Sequence, residues 1–506
     1  MRQAWTLSFA ILYLLSACGA SPNSKIDVST TPGSSPVLLC GNGICESGEN
    51  SSSCQQDCPE TSFSGNIQTT YIKSDGSGGN IAVMVASPTT KRFNNGAGVI
   101  VVIPPLFSSV EGFMKDPDLT SLGLVQVSYL WPGDKDTEEE VKSDGEFDHG
   151  GANSIKILRD VIRFAGGRLE DVNGRYIYGL TTVPPLTEEV GMYAFGDGGM
   201  AAVKALSLYG DQFQGLQYYV GRENPTIDLL ACEEVGYYDV TGKPVYNPFY
   251  IYPASYSFNT LSQNYTNLRW DPTYTSNFSA MAGRPYFDLD GNGRISASDY
   301  VFDGQPPVID GKRYYSIDLT QALLSTGALS EATWPADVAT LDEVTPFWNF
   351  LQSSGRFAAM QNDEILQNLK VMLVFAQNDH AQVALDKPHI HQAYQGFRFE
   401  AGLWVRLNPD RAYVQEMLRA KAGSGSATPT AAAPTNLYLN FPDNPANTQP
   451  DDWAKISDYA YPGQGAANRL VPLAAVAEMA DRAHAGVWDE NVGEALFNYI
   501  PATQSP

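Results

Sequence analysis

A chain of 506 residues with a hydrophobic fraction of 43% is longer than one ordinary domain and has ample apolar material for a large core. Its 56 acidic residues outnumber 32 basic ones, leaving a net charge of −24, which argues against nucleic acid as a partner because phosphates demand a basic surface. No acidic run is long enough to read as a disordered tail, so the charge belongs to a solvated surface.

Residues 1–18 read as an export signal. Arg2 supplies a short positive region, and Ala4–Leu15 is an apolar run too short for a good membrane span. The run ends in Leu15-Ser16-Ala17-Cys18, which resembles the lipobox of bacterial lipoproteins. That resemblance implies diacylglycerol on the Cys18 thiol, cleavage before it and acylation of the new amino group. Several acyl chains on one residue give stable anchoring, so the expected partner is a membrane reached through a lipid anchor. Gly19 stands where aspartate would signal inner-membrane retention, which points to the outer membrane or cell surface. An ordinary signal peptide with a coincidental cysteine is the alternative. Residues 19–39, rich in Ser, Thr, Pro and Gly, form a flexible linker.

A small module follows at 40–59. Cys40, Cys45, Cys54 and Cys58 are spaced C-x4-C-x8-C-x3-C, and outside the cytoplasm such a cluster reads as two disulfides in a piece too short to fold on apolar burial. Three connectivities remain open. Zinc sites usually show C-x2-C pairs, which are missing here. The stretch resembles the CGNGxCExGE modules of bacterial surface proteins. Cys232, remote from these four, reads as a buried reduced thiol.

From residue 65 the pattern is strand-like, then alternates strand and helix. Ile67–Lys73 and Ile81–Pro88 flank "SDGSGG" and predict a hairpin. Gly98–Pro105 is a continuous apolar run suited to a strand buried on both faces, and Leu124–Gly133 is the next strand. "GANSIKILRDVIRFAGG" has helical spacing, "EVGMYAF" predicts a strand, and "GMAAVKALSLYG" a helix closed by Gly210. "GLQYYVGREN", "LKVMLVFAQND" and "GLWVRLNPD" are further strands, and "NRLVPLAAVAEMADRAHAG" reads as an amphipathic helix against the sheet. Alternating strand and helix predicts an α/β fold with a mostly parallel sheet and helices on both faces.

This order resembles the α/β-hydrolases: leading hairpin, a third strand running to an oxyanion loop, then strand, turn and helix at a nucleophile elbow. The resemblance covers roughly 65–220 and 345–420, so residues 65–506 are expected to form one such domain with 221–345 as a cap insertion. Carried across residue by residue, it puts the nucleophile on Asp197, between Gly196 and Gly198-Gly199. Two residues earlier stands Phe195 where the family has glycine, and no G-x-S-x-G occurs in the chain. The acid position falls on Asp379. The histidine position reads "NPDRAYV" and lacks histidine.

Among the five histidines, His380 adjoins Asp379 and His149 follows the fourth strand, so both are candidate partners of Asp197. Leu106 and Gly198 are the candidate oxyanion donors, since Pro105 has no N–H. The resemblance implies an ester-type hydrolase of unnamed substrate. An aspartate nucleophile would form an ester that a histidine-activated water opens. Against this stands Asp197 as a helix-capping relic, its charge favoured by a helix N-terminus. Asp148 and His149 likewise read either as active-site groups or as a helix cap beside a polar turn. His389 and His391, ahead of the eighth strand, could also reach the strand ends beside Asp197; otherwise they would share a face only on a strand and read as a surface pair.

"DLDGNGRISASD" places Asp288, Asp290, Asn292, Arg294 and Asp299 at positions 1, 3, 5, 7 and 12 of a calcium loop, with Gly293 at the sharp turn. Position 7 gives its backbone carbonyl, and Asp299 in place of glutamate resembles the dockerin version of the EF-hand loop. A structural calcium is therefore the expected cofactor. The rest of the insertion, rich in Tyr, Asn and Pro, either lines a pocket for a small-molecule or carbohydrate-like ligand or forms its own core. Two functions stay open: an ester-type hydrolase, and a catalytically degenerate surface lipoprotein that binds a ligand beneath its cap.

Overall fold

The computed structural model describes residues 65–107, 112–239, 243–250, 261, 263–276, 278–376, 382–384, 387–409, 413–414 and 466–488. Cys18, the four clustered cysteines, Asp379 and His380 lie outside the described residues.

Eight strands form the main sheet: β1 Asn66–Ser74, β2 Gly79–Ser87, β3 Ala97–Ile103, β4 Val125–Tyr129, β5 Pro185–Phe195, β6 Leu216–Arg222, β7 Lys370–Val374 and β8 Trp404–Leu407. Their spatial order is β1-β2-β4-β3-β5-β6-β7-β8. β2 runs antiparallel to both β1 and β4. Every other neighbouring pair is parallel. One reversed strand near an edge of a parallel sheet, with β3 and β4 exchanged in space, is the α/β-hydrolase arrangement, so the strand order defines the fold class.

The period of two along each strand divides the core into two layers. Val99, Val101 and Ile103 of β3 face one cluster with Met192, Ala194, Val371 and Leu373. Ile100 and Val102 face the other with Tyr193, Val220, Met372 and Val374. Helices α1 Ala152–Ala165 and α2 Gly198–Tyr209 cover the first face. At 25 cal/mol per Å² of apolar surface, each fully buried aliphatic side chain adds about 1.5–3 kcal/mol, and the two layers are built almost wholly of such residues.

Between β6 and β7 lies the insertion, with α3 Ile317–Ser325, α4 Leu341–Leu351 and α5 Arg356–Gln361. A three-stranded antiparallel sheet, Leu268–Thr275, Ala282–Phe287 and Tyr300–Val301, is its framework. Tyr237, Phe287, Tyr300, Phe302 and Tyr315 close on one another there, so these aromatic residues form a core of their own. Trp348, Leu351, Phe357 and Met360 instead join the main core.

Two readings of local sequence are corrected. "PHIH" begins a helix, α6 Pro388–Gln395, whose first residue is a proline with no N–H to waste; His389 and His391 are fully buried, not a surface pair. The C-terminal helix α7 Ala466–Ala485 does pack on the second sheet face, but its polar side is buried as well. Glu478 takes Arg406 Nη1 at 2.8 Å and Arg482 Nε at 2.8 Å. Asp481 takes Arg92 Nε at 2.6 Å. Ion pairing replaces solvent along that side. Among the described residues no helix is long and apolar enough to cross a membrane.

Candidate functional site

Strand β5 ends at Phe195, and the chain turns at Gly196 and Asp197 into α2. Gly196 has φ +56, in the left-handed region that costs an L-residue about 1–2 kcal/mol. Asp197 has φ −65 and ψ −20, ordinary right-handed helical backbone. In the nucleophile elbow the reactive residue sits on the strained turn, and the residue after it offers an oxyanion N–H. The strained position here is Gly196, which has no side chain. Asp197 is the residue after it, so the nucleophile assignment to Asp197 is off by one.

The Asp197 side chain does something else. It is 2% exposed. Its Oδ1 accepts from Leu106 N at 3.0 Å and its Oδ2 from Phe107 N at 3.2 Å. Leu106, read as an oxyanion donor, does point at this site, but the acceptor it meets is a carboxylate of the protein itself. The second donor to that carboxylate is Phe107. Gly198, expected in that role, is pressed against β3: a Cβ there would lie 3.1 Å from Pro104 O and 3.3 Å from Ile103 O. Asp197 does not cap α2 through its side chain either. It ties the oxyanion loop to the elbow instead.

Neighbouring groups fix both halves of that tie. Trp131 Nε1 donates to Pro105 O at 2.9 Å. Asn224, just past β6, donates through Nδ2 to Gly196 O at 2.6 Å and Arg222 O at 3.1 Å, and accepts from Tyr219 Oη at 2.8 Å. Gly199 leaves the room Asn224 needs, since a Cβ there would meet the Asn224 side chain at 2.3 Å. Phe107, Trp131 and Asn224 were not singled out in the sequence. An asparagine directly after an apolar strand was the only hint of the last.

His149 comes close without completing a catalytic pair. Its backbone is left-handed, φ +50, and its ring lies 4.4 Å from that of Phe147. Burial pushes the imidazole below its ordinary value, against the upward pull of Asp310, a hydrogen bond with the Leu106 backbone, and Asp148. His149 thus meets the outer side of the loop whose N–H groups hold Asp197. Asp148 accepts from Asn153 N at 2.8 Å, Ser154 N at 3.1 Å and the Ser154 hydroxyl. It caps α1, as the helix-cap reading had it.

The position after β8, where the family's histidine was sought, is Asn408. It is fully buried, accepts from Phe375 N at 3.0 Å and donates to Phe375 O at 3.3 Å. It clamps the ends of β7 and β8 together.

The calcium-loop residues sit elsewhere, in the insertion. Asp288, Asp290 and Asp299 bring one carboxylate oxygen each within 4.8 Å of one another. Asn292 Oδ1 accepts from Arg294 N at 2.7 Å. The elements on either side are strands, paired Phe287↔Tyr300, so the loop sits at the tip of a hairpin. Cys232 is buried, its Sγ 3.3 Å from Tyr314 O.

No protein-family model matches this chain, and no curated protein matches it. Among solved structures it is similar to EstE1, a thermostable carboxylesterase from a metagenomic library, at 14% identity over 32% of this chain and 48% of that one, with a TM-score of 0.23. The chain thus spans about half the length of that esterase. It is also similar to an esterase of Pyrobaculum calidifontis at 12% identity, 68% and 74% coverage and a TM-score of 0.32. A fungal esterase of Rhizomucor miehei gives 12% identity, 68% and 73% coverage and a TM-score of 0.33. The strand order, not these partial likenesses, carries the fold assignment.

Proposed function

We propose that this protein is a lipid-anchored surface protein whose α/β-hydrolase fold descends from an ester-type hydrolase and has lost its hydrolytic centre, leaving a scaffold that binds a ligand at its cap. One observation carries the reading: the carboxylate of Asp197 occupies the Leu106 and Phe107 N–H groups. Those are the donors that an acyl-transfer enzyme reserves for the oxyanion of its transition state. With a glycine at the strained turn there is also no side chain to attack a carbonyl.

An aspartyl-ester route finds little support in the same geometry. Each carboxylate oxygen is held by a backbone N–H, and the His149 imidazole is bonded to the Leu106 backbone. The ligand is carried over from the resemblance alone, since the aromatic residues of the insertion pack on one another; the lipobox-like Leu15–Cys18 supports the anchor.

The deciding experiment is a single turnover of activated esters by the full chain in oxygen-18 water. The expected result is no burst, no covalent labelling by a fluorophosphonate and no heavy oxygen in Asp197. Heavy oxygen in the Asp197 side chain would restore the hydrolase reading. The anchor is tested by palmitate incorporation, expected in the wild type and lost in Cys18→Ser.

A further inference from the structure

We propose that the Asp288–Asp299 loop is a calcium site that staples the hairpin of the insertion. Three acidic side chains in a loop do not make a site, and the loop's own N–H and hydroxyl groups donate to Asp290 and Asp299 without an ion. The telling atom is Asp288 Oδ1. Asp288 is 7% exposed, its Oδ2 accepts from Gly293 N at 3.1 Å, and its Oδ1 is buried with no hydrogen-bond partner. A buried carboxylate oxygen left unsatisfied has lost its water with nothing in return. It stands in the same cluster where Asp290 and Asp299 each present an oxygen. Three carboxylates at this spacing repel one another unless a cation lies between them.

The donor set selects the ion. All available atoms are oxygens: three carboxylates, the Asn292 amide and the carbonyl of Arg294, with the Ser296 hydroxyl beside Asp290 at 3.0 Å. There is no imidazole or thiolate for zinc. A loop offering six oxygen-bearing groups suits calcium better than magnesium, which demands tight octahedral geometry and keeps its water.

The position of the loop says what the ion does. Asp288 N donates to Asn267 O at 3.0 Å, next to the neighbouring strand, and Leu289 N donates to Asp299 Oδ1 at 2.8 Å. Immediately beneath are Phe287 and Tyr300, partners across the hairpin and members of the insertion's aromatic core. An ion joining Asp288 to Asp299 ties both ends of the hairpin to that core.

The test is calcium titration of the full chain, by calorimetry and by displacement of luminescent terbium. The expected result is one ion per chain, with magnesium weaker by about tenfold or more. Asp290→Asn, on an exposed residue, should weaken calcium by about tenfold or more, while Asp271→Asn, on the adjacent strand outside the loop, should leave it unchanged. Circular dichroism confirms that each variant is folded. Absence of saturable binding by the wild type at about 10 mM calcium, or an unchanged affinity in folded Asp290→Asn, overturns the proposal.

Discussion

Asp197 and Asp288 invite comparison: both are buried aspartates beside glycine-rich turns, and both stand where chemistry could be sought. Asp197 has each oxygen on a backbone N–H supplied by a loop about ninety residues earlier in the chain. Asp288 has one oxygen on a backbone N–H and the other on nothing. The first is a closed site, satisfied from inside. The second is open and calls for a cation from outside. The type of residue does not distinguish them; the accounting of acceptors does.

The sharpest way to break that comparison is to remove each carboxylate in turn. Asp197→Ala leaves the Leu106 and Phe107 N–H groups buried and unpaired, and should lower stability by about 2–5 kcal/mol with or without calcium. The urea midpoint reads this directly. Asp288→Ala should change stability little in calcium-free buffer. It should instead remove the gain that calcium gives the wild type, about 2.7 kcal/mol at a hundredfold excess over Kd. Thermal melts with and without calcium separate the two, and equal responses of the two variants to calcium would erase the distinction.

Glu234 is a third kind of buried carboxylate, hydrogen-bonded at both oxygens yet set among other acids. It accepts from Ser316 N at 2.9 Å, Ser316 Oγ at 2.8 Å and, more weakly, Tyr265 Oη at 3.3 Å. Burial, and then the charges of Asp228 and Asp318, push its pKa up to about 8, against the pull of the Ser316 bonds. The folded protein therefore holds a proton that the unfolded chain releases near pH 4.5. Stability should fall as pH rises between these two values, by at most about 1.4 kcal/mol per unit from this group. Glu234→Gln should flatten that part of the urea-midpoint profile; a profile unchanged by the substitution would show that Glu234 does not titrate there.

The smallest effect concerns the elbow backbone. Gly196→Ala should cost about 1 kcal/mol, because alanine resists φ +56. Gly198→Ala, where φ is helical, meets only the close carbonyls of β3. A larger loss at 198 than at 196 would place the strain on the wrong glycine and reopen the register of the elbow.

That register is a fair measure of what the sequence discloses. Long apolar runs such as "GVIVVI" and "LKVMLV" announce buried strands on their own, so the order of the sheet could be read from periodicity. The elbow could be found but not indexed. Glycines at 196, 198 and 199 fit a tight turn around either Gly196 or Asp197, and only the backbone angles choose between them. The partners of Asp197 and Gly196, Leu106, Phe107 and Asn224, come from other loops and leave no local pattern. "PHIH" failed for the opposite reason, since a helix starting at Pro388 overrides the two-residue spacing. The clustering of Asp288, Asp290 and Asp299 was legible because all three lie within twelve consecutive residues; that strands flank the loop was not.

The burial of α7 has a consequence for the order in which this chain can fold. One whole face of the sheet, with Ile100, Val102, Tyr193, Val220 and Met372, waits for Leu470–Ala480 to cover it. Those covering residues come from far along the sequence, and they bring Glu478 and Asp481 to Arg406 and Arg92. Until that helix docks, the sheet shows a bare apolar face, and any species folded without it is exposed to aggregation.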